Sequence, residues 1–393
     1  MKNNCEMLDS GPPIKVLYVI SRFELGGAEI YAFELSRFLA ESIESGVASV
    51  LGDDQSDIGK SLTKDARARG VKIFSGVNLP WKFGGFLISA FKLRKTIKEF
   101  NPDLIHLNTE VPEFSYVLCA LIDKSIKRIP VIRTIHNTVL WSQWDRLGAW
   151  CECKLNNIPV IYVSDAVQKK FKKWRNKCGL SDVVNTSVIY NPISIPYTRK
   201  TLVNQRIMQQ GEIRVLFAGR FEYQKGCDLL ADILKNTKVP ADKQLSLQIY
   251  GEGSESHLLE ALRENPPQGW SISISPPVPD LVEQLPDFDI LLFPSRFEGY
   301  GRMAAEAVLS GIPVIAFRLQ VLMEIFPENY PWITESAEMD VLGFAEKLSA
   351  LLTSLDKAQP AVDNARNLLK EKLDQEKVTI ANLNSYKSTI KIT

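Results

Sequence analysis

The sequence predicts two doubly wound α/β domains in series. Three observations carry that prediction. The 393 residues exceed one ordinary domain and suit two. A strand, a glycine-bearing turn and a helix open at residue 15, and the same succession restarts at residue 213. Between the two, short apolar runs alternate with helical stretches, which is the pattern of a parallel sheet covered by helices.

The elements follow in order. "KVLYVI" at 15 to 20 is a continuous apolar run, suited to a strand buried on both faces. "SRFELGGAE" is the turn, and "IYAFELSRFLAE" spaces Tyr31, Leu35, Phe38 and Leu39 as one face of a helix. Further strands are expected at "DLIHL" from 103, "PVIRTI" from 130, "PVIYVS" from 159 and "SVIYN" from 187. This places a first domain at residues 1–196. Residues 197–212 lie in a polar, proline-bearing break and read as a linker. A second domain is expected at 213–374, with strands at "IRVLFAG", "LSLQIYG", "SISIS", "DILLFPS" and "PVIAF".

Bulk properties exclude several function classes. The net charge of +1 gives no global attraction for nucleic acid. No apolar run reaches the ~18 residues of a membrane span, and "MKNNCEMLDSGPP" lacks a signal-peptide core. A cytoplasmic location is expected, with any membrane contact peripheral. The six cysteines are scattered, and Cys151 and Cys153 lack the spacing and the second pair of a zinc site.

Ligands of doubly wound sheets bind at the carboxyl ends of strands. Two such domains facing one another would make a cleft from both sets of ends. The unusual residues fall in those loops. After "DILLF" comes "PSRFEGYG" and then the helix "RMAAEAVLSG". Gly299 and Gly301 leave backbone N–H groups approachable, and the helix start near Arg302 adds a positive dipole end. Glu306, one turn into the helix, suits the two hydroxyls of a ribose, and Glu298 suits sugar hydroxyls. "AGRFEYQKG" supplies Arg220 and Lys225 as phosphate contacts. Gly26 and Gly27 offer another helix entry that could close on the same diphosphate. Each feature also has a bland reading: surface carboxylates, solvated loop charges, a tight turn. The combination suits a sugar nucleotide.

Taken in order, "GGAE" at 26, "VSDAV" at 163, "IYNPIS" at 189, "AGRFEYQKG" at 218, "YGEGSE" at 250 and the Glu298/Glu306 pair resemble a family-4 retaining glycosyltransferase of the GT-B fold. The resemblance covers nearly the whole chain. It implies two Rossmann-like domains facing across a deep interdomain cleft, with a terminal helix at about 375–393 crossing back to the first domain. It also implies roles. Arg220 and Lys225 would bind the diphosphate and stabilise the leaving nucleotide. Glu306 would hold ribose. Glu298 would touch donor sugar hydroxyls, with Gly299, Tyr300, Gly301, Arg302 and Met303 around the donor. Val278 and Leu281 would hold the base. His136, in "RTIHN", would be the active-site histidine; alone, it reads as a satisfied half-buried one. His106 reads as structural, and His257 as a helix-surface residue.

The family needs no bound metal and no cofactor. A UDP-hexose is the expected donor, UDP-glucose first among them, and a saccharide or lipid-linked acceptor in cell-surface polysaccharide or glycolipid synthesis is expected. Pro192 stands where many relatives have Gly, and Asn137 where an acidic residue is common, which weakens inference about the acceptor. Two basic, aromatic stretches in the first domain, "WKFGGFLISAFKLRK" from 81 and "VQKKFKKWRNKCG" from 167, read either as solvated helix faces or as docking surfaces for anionic lipid. Two other functions compete: a sugar-nucleotide-binding partner subunit without turnover, and a GT-B-like sugar-nucleotide epimerase.

Overall fold

The computed structural model describes residues 12–24, 26–52, 57–79, 84–142, 144–193, 212–279, 281–334 and 339–392. The N-terminal stretch, most of the expected linker, Leu25 and the aromatic start of the stretch from 81 lie outside them. The chain divides into two compact units, Met1–Pro192 with Gln375–Thr393, and Ile193–Asp374.

The first unit carries a seven-stranded parallel sheet: β1 (Ile14–Ile20), β2 (Ile43–Ser49), β3 (Lys72–Phe74), β4 (Leu104–Asn108), β5 (Val131–Ile135), β6 (Val160–Tyr162) and β7 (Thr186–Val188). Their spatial order is β3-β2-β1-β4-β5-β6-β7. The chain winds outward from β1 in both directions, so β1 and β4 flank the switch point, with Val19 opposite Leu107. Helices α1 (Gly27–Phe38), α2 (Asp57–Ala68), α3 (Gly85–Phe100), α4 (Glu110–Ile122), α5 (Asp145–Lys154) and α6 (Asp165–Lys177) connect the strands.

β2 and β3 escape an apolar-run reading. β2 is "IESGVAS", largely buried yet rich in small and polar residues. Its Gly46 lies close beneath α3: a Cβ there would sit 3.0 Å from ring carbons of Phe100, the last residue of that helix, which would have to shift by a few tenths of an ångström. The core of this unit joins Val16, Tyr18 and Ile20 of β1 to Tyr31 and Leu35 of α1. Val378, Leu383 and Tyr386 of a long C-terminal helix fill the same core.

The second unit carries β8 (Glu212–Ala218), β9 (Gln244–Tyr250), β10 (Trp270–Ser275), β11 (Ile290–Phe293) and β12 (Val314–Ala316), parallel and in the order β10-β9-β8-β11-β12. Its switch point lies between β8 and β11, paired at Ile290 with Val215 and Leu291 with Leu216. Helices α7 (Leu230–Asn236), α8 (Ser256–Glu264), α9 (Leu281–Gln284), α10 (Arg302–Leu309), α11 (Leu322–Ile325), α12 (Val341–Thr353) and α13 (Gln359–Lys372) surround it. The last helix, α14 (Gln375–Ile392), belongs to the first unit.

Candidate active site

In the second unit, the loops after β8 and β11 meet at the switch point. Lys225 ends a 3-10 turn, Tyr223–Lys225, and its Nζ lies 2.6 Å from Oε1 of Glu298. Lys225 keeps a fifth of its side chain exposed, and Glu298 is buried. Seventy-three residues apart in sequence, they form a preorganised charged pair. Arg302 donates from Nε to Oε1 of Glu306, one turn further along α10, at 2.7 Å. Gly301 caps that helix in the left-handed region, φ 81°, and a Cβ there would meet Leu322 at 2.8 Å, so only glycine fits. Tyr300 is buried just before it, and Met303 is half-buried just after.

Other predicted residues are placed more loosely. Arg220 is exposed, 3.5 Å from Glu222. Leu281 is buried at the start of α9, and Val278 is half-buried in the preceding loop. A polar hollow of about 340 Å³ is lined by Glu212, Arg214, Gln248 and Gln284, among others. It holds none of the predicted donor residues; the charged pairs converge at the strand ends instead.

Sequence reasoning missed the strap that joins the two loops. The guanidinium of Arg296 forks onto both carboxylate oxygens of Asp228 at 2.7 and 2.6 Å. It also donates to the carbonyl of Tyr223 at 2.7 Å and stacks 3.8 Å over that ring. The Arg296 hydrogen bonds hold the Asp228 carboxyl below the usual carboxylate range. The backbone N–H of Arg296 donates to the Gln224 carbonyl, and the Gln224 amide donates to Phe297 O at 3.0 Å. No local spacing marks this pair, since its partners lie 68 residues apart.

In the first unit, the strand ends at the switch point carry neutral groups. Ser21, after β1, bonds Thr109 through their hydroxyls at 2.9 Å. Thr109 follows β4 at φ 76°, a conformation a β-branched residue rarely adopts. His136 follows β5 and is half-buried; its Nε2 lies 3.1 Å from Oδ1 of Asn108. The Tyr31 ring meets it edge-on at 4.9 Å. Burial holds the His136 imidazole neutral, well below its ordinary value. At the α1 entry, Glu29 curls back so that a Cβ on Gly26 would lie 2.1 Å from its Oε2, while Gly27 faces open space. A carboxylate thus stands at the helix mouth where the sequence suggested a diphosphate contact.

His106 is fully buried and structural. Its Nδ1 pairs with the Tyr386 hydroxyl at 2.8 Å and its Nε2 with Thr134 Oγ1 at 2.7 Å. Burial lowers its pKa to about 3. Tyr31 of α1 donates to Asn382 Oδ1 at 2.9 Å, so α14 is tied to α1 through Asn382 and to β4 through Tyr386. His257 is exposed on α8.

The stretch from 167 divides into an inward and an outward side. Phe171 of α6 is buried between the guanidiniums of Arg133 and Arg175, 5.8 and 5.7 Å from its centroid. Arg133 forks onto Glu152 at 2.8 and 3.1 Å, and Arg175 reaches the same carboxylate at 2.5 Å. Trp174 is half-buried and donates to Asp145. The buried charge network claims Phe171, Trp174 is tied to the exposed Asp145, and the lysine face remains for solvent or lipid. On α3, by contrast, Leu87, Ile88 and Phe91 are each about half exposed, at 45, 48 and 54%.

Among the described residues, no group of three or more His, Cys, Asp or Glu side chains is placed to hold a metal ion, and no helix is long and apolar enough to cross a membrane.

Comparison with known proteins accords with this architecture. Residues 25–195 match the family Glycosyltransferase Family 4, and residues 199–368 match Glycosyl transferases group 1. An O-antigen biosynthesis glycosyltransferase of Escherichia coli, WclY, is 25% identical over 85% of this chain and 89% of its own. An uncharacterized 41.2 kDa protein in the cps region of Klebsiella pneumoniae is 26% identical over 74% of this chain and 83% of its own. Among solved structures, Anabaena Alr3699/HepE in complex with UDP and glucose superposes with a TM-score of 0.76 at 18% identity, covering 95% of this chain and all of that one. Sucrose-phosphate synthase from Thermosynechococcus elongatus gives 0.74 at 16% identity, covering 97% of this chain and all of that one. Sheet order, motif order and both family matches agree: the chain belongs to the family-4 glycosyltransferases of the GT-B fold.

Proposed function

We propose that this glycosyltransferase is a retaining, metal-independent hexosyltransferase that uses a nucleotide-diphospho-hexose, with UDP-glucose as the leading donor. The observation that carries the reading is the pair of salt bridges at the second switch point, Lys225–Glu298 and Arg302–Glu306, on loops strapped by Arg296 and Asp228. Lys225 and Arg220 meet the diphosphate, and the start of α10 adds its positive end. Negative charge grows on the departing diphosphate, so cations already held in place lower the barrier without reorganising. Glu306 takes the ribose hydroxyls, and Glu298 takes hydroxyls of the sugar. His136 is the active-site histidine that the first unit contributes. The UDP and UDP-glucose complexes of the Anabaena neighbour support this donor class.

The acceptor we propose is a saccharide or a lipid-linked saccharide of a cell-surface polymer. The O-antigen role of the Escherichia coli relative supports it. So does the first half of α3, where Leu87, Ile88 and Phe91 stand exposed beside Lys92 and Lys95. Such a face suits insertion into the headgroup region of an anionic bilayer.

A thermal-shift panel tests the donor. UDP, GDP, ADP and their glucose, galactose and N-acetylglucosamine conjugates are added with EDTA present. Binding to the folded state raises its stability by RT ln(1 + [L]/Kd), about 2.7 kcal/mol at a hundredfold excess over Kd. A shift confined to the uridine set, lost in Glu306→Ala, is the expected result. Equal shifts for all bases, or none, would remove the donor assignment.

A further inference from the structure

We infer that Asn108 is a positioning residue that fixes the tautomer of His136, so that His136 Nδ1 is presented to substrate as a hydrogen-bond acceptor. The inference rests on the proposed role of His136 as an active-site histidine.

Asn108 is fully buried as the last residue of β4. Its Nδ2 donates to the carbonyl oxygen of His106 at 3.2 Å and faces that of Val19 at 3.5 Å. Two carbonyls on that side admit only the NH₂ end, so Oδ1 is the end that faces His136. Oδ1 only accepts. The Nε2 of His136, 3.1 Å away, must therefore carry the hydrogen. In a neutral imidazole the lone pair then lies on Nδ1. That nitrogen has no hydrogen-bond partner among the described residues.

The ring has little freedom to turn away. Tyr31 packs edge-on against it at 4.9 Å, and Tyr31 is itself held by Asn382. Asn108 is held in turn by β4 and by the strained Thr109 beside it, whose hydroxyl is tied to Ser21. The ionisable neighbours of His136 are Tyr31 from α1 and His106 from β4, both uncharged near neutral pH. Among the described residues, burial alone sets the charge state of His136, and it favours the neutral ring. It is thus an acceptor for a substrate hydroxyl rather than a proton donor.

The chain has three histidines, so their ring nitrogens can be resolved in the full-length protein labelled with ¹⁵N-histidine. Long-range ¹H–¹⁵N correlation of the wild type between pH 6 and 8 is expected to show His136 as the Nε2–H tautomer throughout. An Nδ1–H tautomer, or an imidazolium, overturns the inference whatever the enzyme does. Activity is then read as UDP-glucose turnover. Asn108→Leu is expected to scramble the tautomer and lower kcat/KM about ten- to a hundredfold. Asn108→Asp keeps an acceptor but adds a charge that favours the imidazolium. Its kcat/KM is expected to fall as pH drops toward 6, while the wild type stays flat. A flat Asn108→Asp profile beside an inactive His136→Ala variant overturns the positioning role. A fully active His136→Ala variant overturns the reading of His136 on which it rests. Should Asn108→Leu fail to fold, the wild-type spectrum and the Asn108→Asp profile decide.

Discussion

At the carboxyl end of the first sheet, Ser21, Asn108, Thr109 and His136 meet through neutral hydrogen bonds. At the corresponding end of the second, Lys225, Glu298, Arg302, Glu306, Arg296 and Asp228 meet as ion pairs. The winding about the two switch points is alike, so the difference lies in the loops. It teaches that one scaffold supports two kinds of recognition. Neutral donors and acceptors discriminate hydroxyls, and fixed charges hold and stabilise an anion. The first unit also contains charges: Glu29 stands at the mouth of α1, Arg22 and Glu24 pair in the loop after β1, and Arg133, Arg175, Glu113 and Glu152 are buried among α4, α5, α6 and β5.

The largest break in this comparison is expected at Lys225. A charged hydrogen bond is worth about 1.5–3 kcal/mol. Lys225→Ala also removes the ion-pair partner of the buried Glu298 carboxylate, so turnover of donor should fall about a hundredfold or more. Arg220→Ala, at an exposed side chain, should cost nearer tenfold. Single-turnover assays with saturating donor check both, and wild-type rates in Lys225→Ala would refute the charged half of the comparison.

Next in size is the neutral half. Tyr386→Phe removes the hydroxyl from His106 Nδ1 and leaves that buried nitrogen unpaired, at a cost of about 1–3 kcal/mol. Thermal unfolding should show the loss, while donor-induced shifts stay as in the wild type. An unchanged melting temperature would mean that the polar contacts of α14 add nothing beyond its apolar packing.

A smaller and pH-dependent effect is expected at Glu113. Its carboxylate is buried with no hydrogen-bond partner, 3.4 Å from Arg133, and burial raises its pKa despite that neighbour. The folded state therefore binds the proton more tightly than the unfolded state. The stability this contributes is full at low pH and is lost as pH rises from about 5 through the raised pKa. Glu113→Gln should flatten that decline, which melting curves across pH would record. An equal slope in both proteins would place the titration elsewhere.

The smallest effect concerns the surface. Leu87→Ser with Phe91→Ser should weaken co-sedimentation with anionic vesicles several-fold and leave turnover on a soluble acceptor intact. Substituting Lys169 and Lys173 of α6 should change only its salt dependence, because Phe171 beneath them is already packed inside. Equal loss from either set would return the aromatic part of α6 to consideration.

Much of this was legible without coordinates. Ten strands announce themselves as short runs with apolar residues, most of them because a strand buried on both faces must be apolar along its length. β2 and β3 do not, since β2 earns burial from neighbours rather than from its own side chains: Gly46, without one, lies close against Phe100. The glycines and carboxylates of "FEGYGRMAAEA" were visible as a motif for a local reason, the helix entry and the i, i+4 contact of Arg302 with Glu306. For α6, composition was legible but orientation was not: the helix is basic and aromatic, and periodicity turns Phe171 and Arg175 inward onto Arg133 and Glu152, which leaves the lysine side outward.

By itself, then, the sequence determined what depends on neighbours a few residues apart: strands, helix entries, the order of the two domains' motifs, and the family. Tertiary structure alone decided the pairings. Lys225 finds Glu298 across 73 residues, His136 finds Asn108 across 28, and Tyr31 finds Asn382 across 351. The physical reason is that local periodicity follows from backbone geometry, which every segment carries within itself. A hydrogen-bond partner, a tautomer or a buried ion pair is chosen only when the fold brings distant groups within about 3 Å and removes the water between them.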